Sequence, residues 1–236
     1  GKRYNYVITL TDDFIGYPEQ NPKLQEPKLG WVISDAGNIY RYGEDAAVAG
    51  ENPVAMIAYI NENGSGPAPY SKHGLAISLR WLRKNDGDMF FPYSDLENIN
   101  TWILQDYKSL GKAPSWTQWY VPGFGEYDLI FDACGGTQYD GQLHYKNQPW
   151  DYGDLDKLLE STAEYVCHGG VDCHYTFDYF YIWDWGHDDE YCRYWLNPSE
   201  NIDPSKVWLY NSRVKQYWQW ARTTKTENMV RPVFEF

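Results

Sequence analysis

Between Tyr175 and Trp220, 46 positions hold 15 of the chain's 43 Phe, Tyr and Trp residues. The densest part reads Tyr175-Thr-Phe-Asp-Tyr-Phe-Tyr-Ile-Trp-Asp-Trp-Gly-His-Asp-Asp-Glu-Tyr-Cys-Arg-Tyr-Trp-Leu-Asn197. An ordinary core strand alternates apolar with polar residues and draws on Val, Ile and Leu. This run has almost no aliphatics, so it cannot be read as a plain sheet core. Rigid amphipathic rings among short polar residues suit a recognition surface, because they supply contact area at low entropic cost. Roughly half of these rings are expected in the core. Trp195 and Trp208 fall in that half, and the rest are expected on display.

The remaining composition fits that reading. A mean hydropathy of -0.66 with 43% hydrophobic residues means that the apolar share leans on Tyr and Trp. That favours a loop-rich α+β or all-β protein over a helical bundle. A net charge of -13 repels phosphate backbones, so nucleic acid is not an expected partner. No apolar run approaches the 18 residues or so of a membrane span, so no direct span is expected. Gly1-Lys-Arg3 reads as the start of a trimmed chain, and a signal segment is expected to have been removed.

Three prolines, Pro18, Pro22 and Pro27, favour extended chain over residues 1–29, with a leading strand from Tyr4 to Leu10. Gly30 to Tyr40 reads as a hairpin turning at Asp35-Ala-Gly-Asn38. Pro53–Ile60 and His73–Leu79 read as buried strands, and Met229–Phe236 as a terminal one. Ser94 with Glu97 three residues on has the capping-box pattern, and Leu96, Ile99, Ile103, Leu104 and Tyr107 follow at helical spacing. Helices are therefore expected near 94–108 and 125–134, with a third from Asp154 to Glu164 and a glycine stop at Cys134-Gly-Gly136.

Several of these segments, in this order, carry a resemblance. Gly30-Trp-Val-Ile with Asn38-Ile-Tyr40, Pro53-Val-Ala-Met-Ile-Ala-Tyr59 and His73-Gly-Leu-Ala-Ile-Ser-Leu79 resemble the opening of the major-paralogous-domain proteins, a bacterial C-type-lectin-like family. Trp119-Tyr-Val-Pro122, Glu126-Tyr-Asp-Leu-Ile130 and the ending Val230-Arg-Pro-Val233 with Phe236 are similar to later parts of that family. The departures gather at Tyr181-Ile-Trp-Asp-Trp-Gly-His187 and Arg193-Tyr-Trp-Leu-Asn197, in a manner similar to the variable proteins of diversity-generating retroelements. The resemblance implies an α+β C-type-lectin-like domain over 30–236, with small twisted antiparallel sheets, two helices and long loops. It also implies termini close together on paired strands, and an extracellular or outer-membrane location. The expected function is non-catalytic recognition of a surface glycan or protein, as an adhesin or lipoprotein domain, with a diversified C-terminal face.

Trp183, Trp185, His187, Asp188, Asp189, Tyr191, Tyr194, Tyr217, Trp218 and Trp220 are the expected ligand-binding residues, on one exposed face. Trp183 and Trp185 share a face if extended, as do Trp218 and Trp220. Catalysis by the carboxylates of Asp184, Asp188, Asp189 and Glu190 is the competing class, most plausibly on glycosides. A pilus or assembly subunit is a third. No metal or cofactor is expected. The Cys167-His168 and Cys173-His174 pairs match no familiar zinc spacing, and Gln148-Pro-Trp150 and Asn197-Pro-Ser199 only partly echo lectin calcium triplets. Cys134, Cys167, Cys173 and Cys192 remain open between disulfides and free thiols.

Overall fold

The computed structural model describes residues 26–66, 73–84, 90–99, 118–136, 152–163, 193–197, 203, 205–212, 215–222 and 227–236. Within them the protein is α+β, with three antiparallel sheets and few helices. The expected strand Tyr4–Leu10 lies outside the described residues.

The largest sheet starts with the expected hairpin. Strands β1 (Val32–Ser34) and β2 (Ile39–Tyr40) pair Val32 with Tyr40 and Ile33 with Ile39. Gly37 sits in the turn at φ 85, a left-handed conformation that glycine adopts without strain. Glu51 braces the hairpin, accepting from the Ser34 hydroxyl and, at 2.6 Å, from Asn38 Nδ2. A short helix that the sequence reading did not anticipate, α1 (Gly43–Val48), follows. Its Glu44 and Asp45 lie in the first turn, where carboxylates complement the helix dipole. Strands β3 (Pro53–Asn61) and β4 (His73–Ser78) then complete the neighbourhood of β1. With β10 (Val233–Glu235) the strand order is β10-β4-β3-β1-β2.

Both faces of this sheet are covered, which explains the near-continuous apolar run of β3. Val32, Met56, Ala58, Leu75 and Ile77 enter one apolar cluster. Their alternates Ile33, Ala55, Ile57 and Ala76 enter another. The first cluster is closed by α2 (Phe124–Ala133) through Tyr127, Ile130 and Phe131, and by α3 (Leu155–Ala163) through Leu155 and Leu159. Both helices sit close to the expected bounds. Glu126 Oε2 accepts from the Gly123 N–H at 2.8 Å, satisfying one orphan donor at the start of α2.

The helix expected over 94–108 begins differently. A 3₁₀ turn spans Tyr93–Asn98, preceded by Pro92 in extended conformation, and no side chain caps it. Ser94 is thus inside the turn and not its cap. Tyr93, Leu96 and Ile99 are buried every third residue, the period of a 3₁₀ helix. Residues 100–117 lie outside the described residues.

The remaining strands form two small sheets. β5 (Phe91–Pro92) pairs with β9 (Glu227–Asn228), while β6 (Arg193–Trp195), β7 (Lys206–Asn211) and β8 (Gln216–Ala221) form a meander. The last ten residues join all three sheets. Trp195 N–H donates to the Met229 carbonyl at 3.0 Å, and Leu82 N–H to that of Val230 at 3.0 Å. Val233 exchanges backbone bonds with Tyr120, and Phe236 with Gly74. Of the expected terminal strand Met229–Phe236, Val233–Glu235 forms β10, and its pairing with β4 puts this segment at the edge of the main sheet.

Candidate functional site

The meander carries the part of the aromatic stretch that the structure describes. Its register aligns Tyr194 with Tyr210 and Tyr217, and Trp195 with Leu209 and Trp218. Because side chains alternate across a strand, these two rows point in opposite directions. The Tyr194–Tyr210–Tyr217 row faces α2. There Phe124 meets Tyr217 edge-on at 4.7 Å between centroids, and Phe131 lies 5.0 Å from Tyr210. The Trp195–Leu209–Trp218 row faces the second cluster, with Val207 and Trp220 beside it.

This division corrects two of the expected site residues. Tyr194 is 0% exposed and Tyr217 4% exposed, so neither belongs to an open face. Tyr194 instead accepts from the Trp81 indole N–H at 3.0 Å, deep in the core. The Tyr217 hydroxyl donates to Asp128 Oδ1 at 3.3 Å. The physical reason was available in the sequence. The two-residue period that puts Trp218 and Trp220 on one face sends Tyr217 to the other. The same period separates Tyr194 from Arg193 and Trp195. Trp195 and Trp208, expected in the core, are buried there.

Trp218 and Trp220 are half-buried, at the border between the second cluster and solvent. Their rings lie 6.2 Å apart with planes inclined by 37°. Arg193 covers both, its guanidinium carbon 5.4 Å from the Trp218 ring and 5.1 Å from that of Trp220. Gln216, on the same face, accepts from the Trp218 indole N–H at 3.4 Å. Beneath them Trp195 meets Trp220 edge-on at 6.3 Å and Tyr93 edge-on at 5.7 Å. The Trp195 indole N–H is fixed by the Phe91 carbonyl at 2.6 Å. The tryptophan pair thus stands on a rigid aromatic floor. Arg193, Tyr93 and Arg222 (its guanidinium 5.3 Å from the Tyr93 ring) were not among the expected site residues. Arg193 was findable, since Arg193-x-Trp195 on one strand must share a face.

Trp183, Trp185, His187, Asp188, Asp189 and Tyr191 lie outside the described residues, as do Cys167, Cys173 and Cys192. Cys134 is a free, buried thiol whose pKa burial pushes up to about 12, which suits a structural and not a reactive cysteine. Asp128 is the most perturbed carboxyl among the described residues. Burial against the aromatic row raises it to about 7, partly countered by the Tyr217 hydrogen bond. Among the described residues, no three His, Cys, Asp or Glu side chains gather as a metal centre would require. No helix among them is long and apolar enough to cross a membrane.

No protein-family model matches the chain, and no curated protein does. Among solved structures it is similar to a fimbrial protein from Bacteroides ovatus, at 14% identity and a TM-score of 0.44. That comparison covers 89% of this chain and 49% of the other, so this chain spans about half the length of that protein.

Proposed function

We propose that this chain is a non-catalytic recognition domain of the bacterial cell surface, an adhesin or ligand-binding lipoprotein domain on a C-type-lectin-like scaffold. The observation that carries the reading is the half-exposed Trp218–Trp220 pair beneath the Arg193 guanidinium. Large rings held at a surface by a rigid floor are what hot spots require, because little side-chain entropy is lost when a ligand docks. The scaffold part rests on the resemblance of the segments from Gly30 to Leu79 and of the C-terminal strand to that family. In the same reading the ligand is a surface glycan or protein, and the composition of the run from Trp183 to Tyr191 suits diversification.

The test is binding of the purified chain to a glycan array and to an array of surface proteins. Trp218→Ala and Trp220→Ala are each expected to abolish the strongest signals while the domain stays folded. Binding that survives both substitutions would sink the proposal. So would turnover of any arrayed glycan that is lost in Asp188→Ala or Asp189→Ala, since that outcome belongs to a glycan-active enzyme.

A further inference from the structure

The tryptophan pair is held between two layers. On one side it packs on the second cluster, where Trp195 meets Trp220 edge-on at 6.3 Å. On the other lies Arg193, its guanidinium carbon 5.4 Å from the Trp218 ring and 5.1 Å from that of Trp220. One cation therefore covers two rings whose planes are inclined by 37°. A ligand that is to stack on either ring needs the position that Arg193 holds.

The backbone under Arg193 is fixed. Its carbonyl accepts from the Met229 N–H at 2.9 Å, and it pairs with Asn211 of β7. Movement is left to the side chain, a charged head on a long rotatable stem. Ring–cation contacts near a surface are individually weak, and Arg193 is only half-buried. Arg193 makes further contacts besides those with the two rings, and these raise the threshold for its departure. The cover also has a use while no ligand is present. Two adjoining bare indoles would form an apolar surface patch, the kind through which proteins associate. A guanidinium laid over them presents a charge there instead.

We propose that Arg193 is an autoinhibitory lid on the tryptophan pair, and that a ligand docks only on molecules in which Arg193 has swung aside. The inference rests on the recognition reading above and states how that site is regulated. Apparent affinity is lowered by the fraction of molecules that is open. Removing the lid therefore strengthens binding by the same factor by which it uncovers the rings. An arginine that served only to brace the rings would have the opposite effect, since its loss would loosen the indoles and weaken binding.

The experiment has two readouts on the full chain. Labelling with hydroxynitrobenzyl bromide, mapped by peptide mass spectrometry, reads the accessibility of each tryptophan. Arg193→Ala is expected to speed labelling of Trp218 and Trp220 at least about fivefold, the size of two ring–cation contacts at an exposed site. Trp195 and Trp208 are buried and are expected to stay unlabelled. Calorimetric titration with cellotetraose, a neutral glycan with flat C–H faces, should then show affinity raised by the same factor. Arg193→Lys, with no planar fork to lie on the rings, should fall between the two proteins. If Arg193→Ala also labels Trp195, the domain has opened, and the lysine variant decides the question. Unchanged labelling of Trp218 and Trp220 would overturn the lid and leave recognition by this face standing. Faster labelling with weaker binding of cellotetraose, or with none, would overturn it as well. The recognition reading itself falls only if the glycan and protein arrays are blank.

Discussion

Strand β8 offers a controlled comparison, since Tyr217 and Trp218 are neighbours in sequence and opposite in environment. Tyr217 is 4% exposed and wedged between Phe124 at 4.7 Å and Tyr210 at 5.1 Å, with its hydroxyl on Asp128. Tyr217→Ala removes a whole buried ring and leaves a cavity between β8 and α2. Such truncations cost about 3–5 kcal/mol. The deleted hydroxyl also leaves a carboxyl without its donor in a partly desolvated place. Trp218 is larger but half-buried, and its main partners are Arg193 and the edge of the second cluster. Trp218→Ala should cost about 1–2 kcal/mol, the sum of a partial apolar burial and one cation–π contact. At about 2–4 °C per kcal/mol for a chain of this size, Tyr217→Ala should lower Tm by about 6–20 °C and Trp218→Ala by about 2–8 °C. Scanning calorimetry of the two variants under identical conditions measures the difference. Equal losses, or a larger loss for Trp218→Ala, would refute the assignment of the two rows to core and rim.

Two further predictions concern the scaffold. A Cβ on Gly74 would lie 2.2 Å from the Tyr59 carbonyl oxygen and 2.7 Å from the Phe236 ring. Gly74→Ala should therefore destabilise by about 1–3 kcal/mol or more through overpacking, despite alanine's lower backbone entropy, and chemical denaturation checks it. Asp128 has a folded pKa near about 7, above the ordinary carboxyl value. Its contribution to stability is thus fully present below about pH 4 and is lost as pH rises through about 7. Asp128→Asn should remove that slope and gain stability at about pH 8 relative to about pH 5. On a half-buried group, solvent screening limits the effect to about 1 kcal/mol. Urea midpoints for both proteins at the two pH values decide it, and parallel curves would contradict the prediction.

Much of the main sheet was legible in the chain itself. The Asp35-Ala-Gly-Asn38 turn, the apolar runs of β3 and β4 and the terminal strand follow from turn chemistry and local periodicity, which depend on neighbours in sequence. The ends of α2 and α3 follow likewise from glycine and leucine spacing. Helix α1 escaped because six residues carry too little pattern to be distinguished from a loop. The 3₁₀ turn after Pro92 escaped because buried residues at 93, 96 and 99 satisfy three- and four-residue spacing almost equally. The choice between them lies in tertiary packing, where Tyr93 meets Trp195 edge-on.

For the site, sequence alone determined that a strand from Gln216 to Ala221 puts Trp218 and Trp220 on a common face. It could not say which face meets α2. That choice depends on the register between β7 and β8 and on the docking of Phe124 on Tyr217 and of Phe131 on Tyr210, pairs 93 and 79 positions apart in the chain. Composition marks a ring as able to serve core or surface, since Tyr and Trp are amphipathic. Burial is decided by what folds over the ring, and here that is a helix on one side and the Arg193 guanidinium on the other.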